Sequence, residues 1–404
     1  MSERIMKGHI LVNEETGVID KISMSKIPGN EQQKLDLKGK LVIPGLVDIH
    51  VHLRDFEESH KETYQNGGQA AAAGGFTTVF DMPNKKNLPV NSYSRLKGIL
   101  EKTKNINEVE IIPYLLLTKD TPRYLLAEYS YTKAYLGQST GGYLTGYADI
   151  ADFLKISPGF LSVHCEDNDR IEENKKKFEN VLLNHSTIRD PESELICIKK
   201  LIRKANKIKS KAILHTAHLT LPESVSIVKA AGTSFEVTPH HLLLNDDDFL
   251  RLGARGKMNP PLRSKNKQNE LFEMFLAGDI PVIATDHAPH TLKEKEEEEP
   301  SGVPGLETCL PLFLHYCRPL NNEKLKLIID ALAVNPRRLM NLPGKGIISE
   351  KEPADLTVVD LEKSKKVRAE DLYTKCKWSP WEGTELEGWP VMTIRKGRIV
   401  WSAE

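Results

Sequence analysis

The middle of the chain repeats one pattern: a short run of apolar and β-branched residues, then a longer stretch with apolar positions three or four apart. Eight strand-type runs occur, at 41–49 (LVIPGLVDI), 76–82 (FTTVFDM), 109–117 (VEIIPYLLL), 133–137 (KAYLG), 160–165 (FLSVHC), 212–219 (AILHTAHL), 234–241 (SFEVTPHH) and 280–285 (IPVIAT). Helical patterns lie between several of them, among them HKETYQNGGQAAAAG at 60–74 and PESELICIKKLIRKANKI at 191–208. Eight β-then-helix units predict a TIM-type (β/α)8 barrel, whose reactive groups sit at the C-terminal ends of its strands.

The two ends of the chain read differently. HILVNEETGVIDKIS near the start, and ADLTVVDLE with VMTIRKGRIVW near the end, are strand-type runs with turns and no helix between them. They predict a small β-sandwich domain built from residues 1–42 and 346–404, beside a barrel of residues 43–345. The charged run KEKEEEEPSG at 293–302 reads as a solvated loop, or as a lid because it follows a cluster of histidines.

Composition narrows the class. Equal numbers of acidic and basic residues, 56 of each, argue against a nucleic-acid or acidic-membrane binder. No stretch approaches a membrane span and the N-terminus has no apolar leader, so a soluble cytoplasmic protein is expected. Five scattered cysteines with no CxxC pair read as reduced thiols, Cys165 among them as a small buried hydrophobe.

Candidate chemistry gathers at the predicted strand ends. In DIHVHLRD, His50 and His52 share one face of a strand and can point together, as two ligands of one metal should. Alone they are weak evidence, since histidines at a strand end are also simply hydrogen-bonded. His164 ends the fifth run, His215 and His218 the sixth, and Asp286 the eighth, followed by His287 and His290. Imidazoles and a carboxylate distributed around one barrel face converge, which favours a metal site. His215 and His218 are three apart, so a regular strand turns them to opposite faces and only one is expected to be a ligand. Lys133 reads either as a lysine at a strand edge or, if it points inward, as a modified one, because a buried ammonium is costly.

The motifs GLVDIHVHLRD, DMPN, VHCED, HTAHL, VTPHHLLL, KMNPPLR and TDHAPH, in this order, resemble the amidohydrolase superfamily and, within it, the dihydroorotases. The resemblance implies a (β/α)8 barrel with two Zn2+ per chain. His50, His52 and Asp286 would hold the first and His164 and His218 the second, with N6-carboxylated Lys133 bridging them. His215 is then structural. Asp149 and Asp152 are the rival bridging groups, although they lie in a helical pattern.

The same match implies that Arg54, Asn84 and His290 grip a substrate carboxylate, that Asn259 contacts the ring, and that the backbone near Pro304 and Gly305 contributes. The Gly/Ser/Thr-rich GQSTGGYLTG reads as an ordinary βα loop or as a mobile one that closes over substrate, with Thr140 the candidate loop contact. Asp286 is the proton-transferring catalytic residue. The implied activity is reversible hydrolysis of the small molecule dihydroorotate to N-carbamoyl-aspartate in pyrimidine synthesis, with no nucleic acid or membrane partner. A homodimer, or association with other pyrimidine-pathway enzymes, is the expectation for assembly. The alternatives are a hydantoinase or allantoinase, or an inactive relative serving as a structural partner. Arg54 together with MPN argues against the first two, and the full ligand set against the third.

Overall fold

A computed structural model describes residues 5–27, 34–138 and 141–403. Its centre is a ring of parallel strands. Leu46–Val51 pairs with Phe76–Asp81, which pairs with Glu110–Pro113. After Tyr114 the third stave resumes as Leu115–Leu116 and pairs with the fourth, Tyr131–Tyr135. Phe160–His164, Ile213–Thr216 and Ser234–Phe235 follow in parallel register. The eighth stave closes the ring through single bridges, Val237 to Ile283 on one side and Val51 to His287 on the other. The fold is the TIM barrel expected from the eight repeats, with a β-rich layer formed by the two ends of the chain.

Two of the strand-type runs turn out shorter than expected. SFEVTPHH is a strand only at Ser234–Phe235, because Thr238 caps a helix over Pro239–Leu243 with Pro239 in its first turn. IPVIAT is extended but makes bridges rather than a full ladder. Its place is secured by Asp48, whose Oδ2 accepts from Thr285 Oγ1 (2.5 Å) and whose Oδ1 accepts from the Thr285 amide (3.2 Å).

The outer helices follow their apolar spacing. Pro191–Ala205 starts on an Asp190 cap, has proline in its first turn, and buries Glu194, Cys197, Ile198 and Leu201 on one face. The alanine-rich helix Tyr64–Ala73 buries nearly its whole length. A smaller apolar cluster joins Val47 and Ile49 of the first stave to Phe80, Tyr114, Phe160 and Val282. Staves on opposite sides of the ring meet in it, so it fills the barrel interior. The main cluster packs the staves against the helices.

The remaining sheet has four antiparallel strands, Leu41–Pro44, Leu356–Lys366, Glu385–Arg395 and Arg398–Ser402, with Leu41–Pro44 at one edge. A hairpin of His9–Asn13 and Val18–Ser23 shares an apolar cluster with it through Ile19, Ala354 and Leu356. Thr357 and Thr393 donate to Gly75 O (2.7 Å) and Ala72 O (2.6 Å), docking this sheet on the end of the first barrel helix. None of the described helices is long and apolar enough to cross a membrane.

The 293–302 run differs from its sequence expectation. Leu292–Glu297 is a helix with a Thr291/Glu294 capping box, and its Lys295 is fully buried. Charge along this run is therefore not uniformly solvated: one lysine faces inward.

Candidate active site

The first, fifth, sixth and eighth staves bring their ends to one cleft of about 410 Å3, lined by His50, His52, Arg54, Asn84, Tyr135, His164, His218, Asn259, Asp286, Ala288, Ser301 and Gly302. His50 and His52 both meet Asp286 Oδ1, their Nε2 atoms lying 3.3 and 3.1 Å away. His218 Nε2 lies 2.9 Å from His164 Nδ1. The His50, His218 and Asp286 donor atoms all fall within 4.8 Å of one another.

Hydrogen bonds on the far side of the rings decide which lone pairs face the cleft. His50 Nδ1 donates to Glu236 Oε1, so its Nε2 presents a lone pair to the Asp286 carboxylate. His164 Nε2 donates to Glu166 Oε2 (2.8 Å), so its Nδ1 presents a lone pair toward His218. A lone pair set against a carboxylate is repulsive unless a proton or a cation lies between them. Burial lowers the pKa of His50, His52, His164 and His218, so the proton is disfavoured. The donor set fits a metal ion of the kind bound by neutral imidazole and carboxylate.

Glu236 and Glu166 are the residues that reading the chain missed. Glu236 accepts from both His50 and His215, the latter at 3.0 Å. Burial opposes its charge, but the two histidines hold its pKa well below the usual carboxylate range. Glu166, paired with Arg189 and His164, is held at about 2 despite burial. Carboxylates behind ligating histidines fix the tautomer and the ring angle. The available signals were a lone acid in the apolar run SFEV, and the Glu two residues after His164. His215 also bonds Ser234 Oγ (3.1 Å), so both its nitrogens are occupied away from the cleft.

His218 reaches the cleft because the chain bends there. It follows the sixth strand with φ +38°, and Asp286 has φ +46°. Such values are uncommon outside glycine and cluster at functional sites. The spacing rule for a regular strand stops applying at Thr216.

Lys133 is fully buried, which excludes the exposed strand-edge reading. Its Nζ donates to Ser162 Oγ (3.2 Å), and burial lowers its pKa to about 8. Asp149 and Asp152 do not reach the cleft. Asp149 caps the helix Tyr147–Ile156, and Asp152 pairs with Lys155 at the surface.

Arg54 lies beside the histidines with φ +51° and is buried. Its Nε donates to Pro289 O (3.1 Å) and its Nη2 to His290 Nε2 (3.0 Å). Asn84 bonds His52 and lines the same cleft. His290 stands behind Arg54 rather than on the cleft wall. Asn259 Oδ1 accepts from Ser301 Oγ (3.1 Å). Pro304 and Gly305 line a neighbouring cavity behind His287, whose Nδ1 accepts from the Gly305 amide (3.1 Å). Ser301 and Gly302, not Pro304 and Gly305, border the histidine cleft. Thr140 lies outside the described residues.

The chain matches the amidohydrolase family over residues 41–400. It is 36% identical to the dihydroorotase of Pyrococcus horikoshii, over 98% of this chain and 89% of that one. The dihydroorotase of Pyrococcus abyssi is 38% identical, over 98% and 92%. Among solved structures, L-hydantoinase from Arthrobacter aurescens superposes with a TM-score of 0.90 at 23% identity, over 98% of this chain and 92% of that one. Dihydropyrimidinase from Brevibacillus agri does so at 0.85 and 18%, over 97% and 91%. The structural likeness at this identity speaks for the fold, whereas the sequence likeness speaks for the closer kinship. The chain belongs to the amidohydrolase family, with the dihydroorotases as its relatives over nearly its full length.

Proposed function

We propose that this chain is a zinc-dependent dihydroorotase, hydrolysing the cyclic amide of (S)-dihydroorotate reversibly to N-carbamoyl-L-aspartate in pyrimidine (UMP) synthesis. The observation that carries the reading is the buried Arg54 guanidinium beside the His50, His218 and Asp286 cluster, in a chain related to dihydroorotases over its length. The cluster suits hydrolysis, and the arginine suits a substrate bearing a carboxylate.

Two zinc ions would be held by His50, His52, Asp286, His164 and His218, together with Lys133 as its N6-carboxylate. Lys133 would add through its neutral amine to carbon dioxide, losing a proton. Burial lowers its pKa to about 8, which enlarges the fraction of that amine near neutral pH. When bound, zinc makes hydroxide available near neutral pH and polarises a carbonyl oxygen. Asp286 takes the proton of the attacking water and returns it to the leaving ring nitrogen. Arg54 grips the carboxylate in a two-pronged fork, with Asn84 beside it on the cleft wall and His290 orienting the guanidinium from behind. Asn259 faces the ring, and Ser301 and Gly302 close that side.

The test is a substrate panel with zinc-replete protein: dihydroorotate, N-carbamoyl-aspartate, hydantoin and allantoin. Turnover confined to the first pair is expected; preference for hydantoin or allantoin would overturn the assignment. A cytoplasmic location belongs to the same reading. Assembly as a homodimer or with other pathway enzymes is read by size-exclusion chromatography of the purified protein and of lysate.

A further inference from the structure

Lys295 is a second fully buried lysine near the cleft, and the chemistry above leaves it unused. Its Nζ donates to three carbonyl oxygens, those of Pro300 (2.6 Å), Lys257 (3.0 Å) and Gly302 (3.1 Å). Three donors meet three acceptors, so the ammonium is saturated without a carboxylate. Burial lowers its pKa to about 7, while the three carbonyls each favour the protonated form. The Trp378 ring lies 5.8 Å away, and its Nε1 donates to His290 O (2.7 Å).

The carbonyls belong to two segments that together build one wall of the cleft. Lys257 stands two residues before Asn259, and Pro300 and Gly302 flank Ser301. The segments also touch directly, through Gly302 N to Lys257 O (3.0 Å) and Ser301 Oγ to Asn259 Oδ1 (3.1 Å). Gly302 has φ +137°, and a Cβ there would come 2.7 Å from Ala288 O, so this wall has no slack. Without the ammonium, the Pro300 and Gly302 carbonyls would lose their lysine donor in a buried space, and Lys257 O would keep the Gly302 amide.

We propose that Lys295 is a positioning residue for substrate binding, an internal cation that gathers the 257–259 and 300–302 segments and so sets Asn259, Ser301 and Gly302 on the cleft wall. The proposal rests on the dihydroorotase reading, because Asn259 is its link to the substrate ring. Lys295 touches neither the histidines nor Asp286, so its loss should loosen binding and spare the metals.

Lys295→Met keeps the length of the side chain and removes every donor. With dihydroorotate, KM is expected to rise about 10-fold or more while kcat changes less than about 3-fold, a tenfold change being about 1.4 kcal/mol. Zinc content should match the wild type. An unchanged KM, a loss carried by kcat alone, or loss of zinc would each overturn the proposal. Should Lys295→Met be insoluble, Lys295→Gln decides, because it keeps a polar end but cannot donate to all three carbonyls. A KM raised about 3-fold supports the proposal and an unchanged KM refutes it. Wild-type protein run in parallel separates the two ideas: no turnover there sinks the dihydroorotase reading itself.

Discussion

Arg54 occupies a backbone conformation that few non-glycine residues adopt, and its neighbours account for it. Lys85 Nζ donates to Arg54 O (2.6 Å) while pairing with Asp81, whose other oxygen accepts from Leu53 N (2.9 Å). The turn is thus held on both sides of the residue, which fixes where the guanidinium points. Arg54→Met should lower kcat/KM for dihydroorotate by about 100-fold or more, with zinc still near the wild-type level. Loss of metal in that variant, measured by elemental analysis, would instead make Arg54 a support for the metal site. Glu236→Gln is expected to weaken metal retention by about 10- to 100-fold, since it removes the carboxylate behind His50. Competition with a chelator measures this directly.

A pH effect follows from Glu58, which bonds Lys61 and the Lys86 amide. Burial opposes its ionisation, but Arg54, the Lys86 amide and Lys61 together hold its pKa at about 2. A depressed carboxylate pKa stabilises the fold above the unfolded value near 4.5 and loses that contribution as pH falls toward 2. Glu58→Gln should therefore flatten the drop in Tm between pH 5 and about 3. The residues legible from the sequence were those whose type is unusual where they stand, such as His50 and Asp286 at strand ends. Glu236 and Glu166 were not legible, because an acid beside a histidine is informative only once the ring nitrogen it holds is known. Tyr135 is a further case: it lines the cleft two residues after Lys133, and no described residue bonds its buried hydroxyl.

The staves were visible as apolar runs, but their ends were not. Periodicity shows neither where His218 leaves its strand nor that Thr238 starts a helix, since both are set by local dihedral and capping choices. The eighth stave illustrates how one polar residue substitutes for a ladder. Asp48 joins the Thr285 amide and hydroxyl across the closure, and burial raises its pKa to about 7. Asp48→Ala should cost about 2–4 kcal/mol of stability, because it leaves both Thr285 donors buried and unpaired. Urea unfolding with an unchanged midpoint would show that the apolar staves close the ring by themselves. The Leu292–Glu297 helix carries the opposite lesson: the charge run at 293–302 concealed Lys295, which a count of charged residues places at the surface.

At the scale of the molecule, the barrel gathers residues from position 50 to position 302 into one cleft, and the end of the chain returns to it. Trp378 bonds the carbonyl of His290, while Thr374 and Lys375 bond Glu62, so the 372–381 segment braces the wall beside Arg54. Eight repeats announced the barrel, and two β-type ends announced the added layer. The docking between them combines shared apolar packing with two threonine hydroxyls that no pattern marks.

The central claim joins a metal-holding cleft to one substrate. It is tested most directly by turnover of dihydroorotate in zinc-replete protein, in chelator-stripped protein, and after zinc is returned. Activity is expected in the first, its loss in the second and its recovery in the third. No dihydroorotate hydrolysis by the zinc-replete protein, or full activity after stripping, would contradict it.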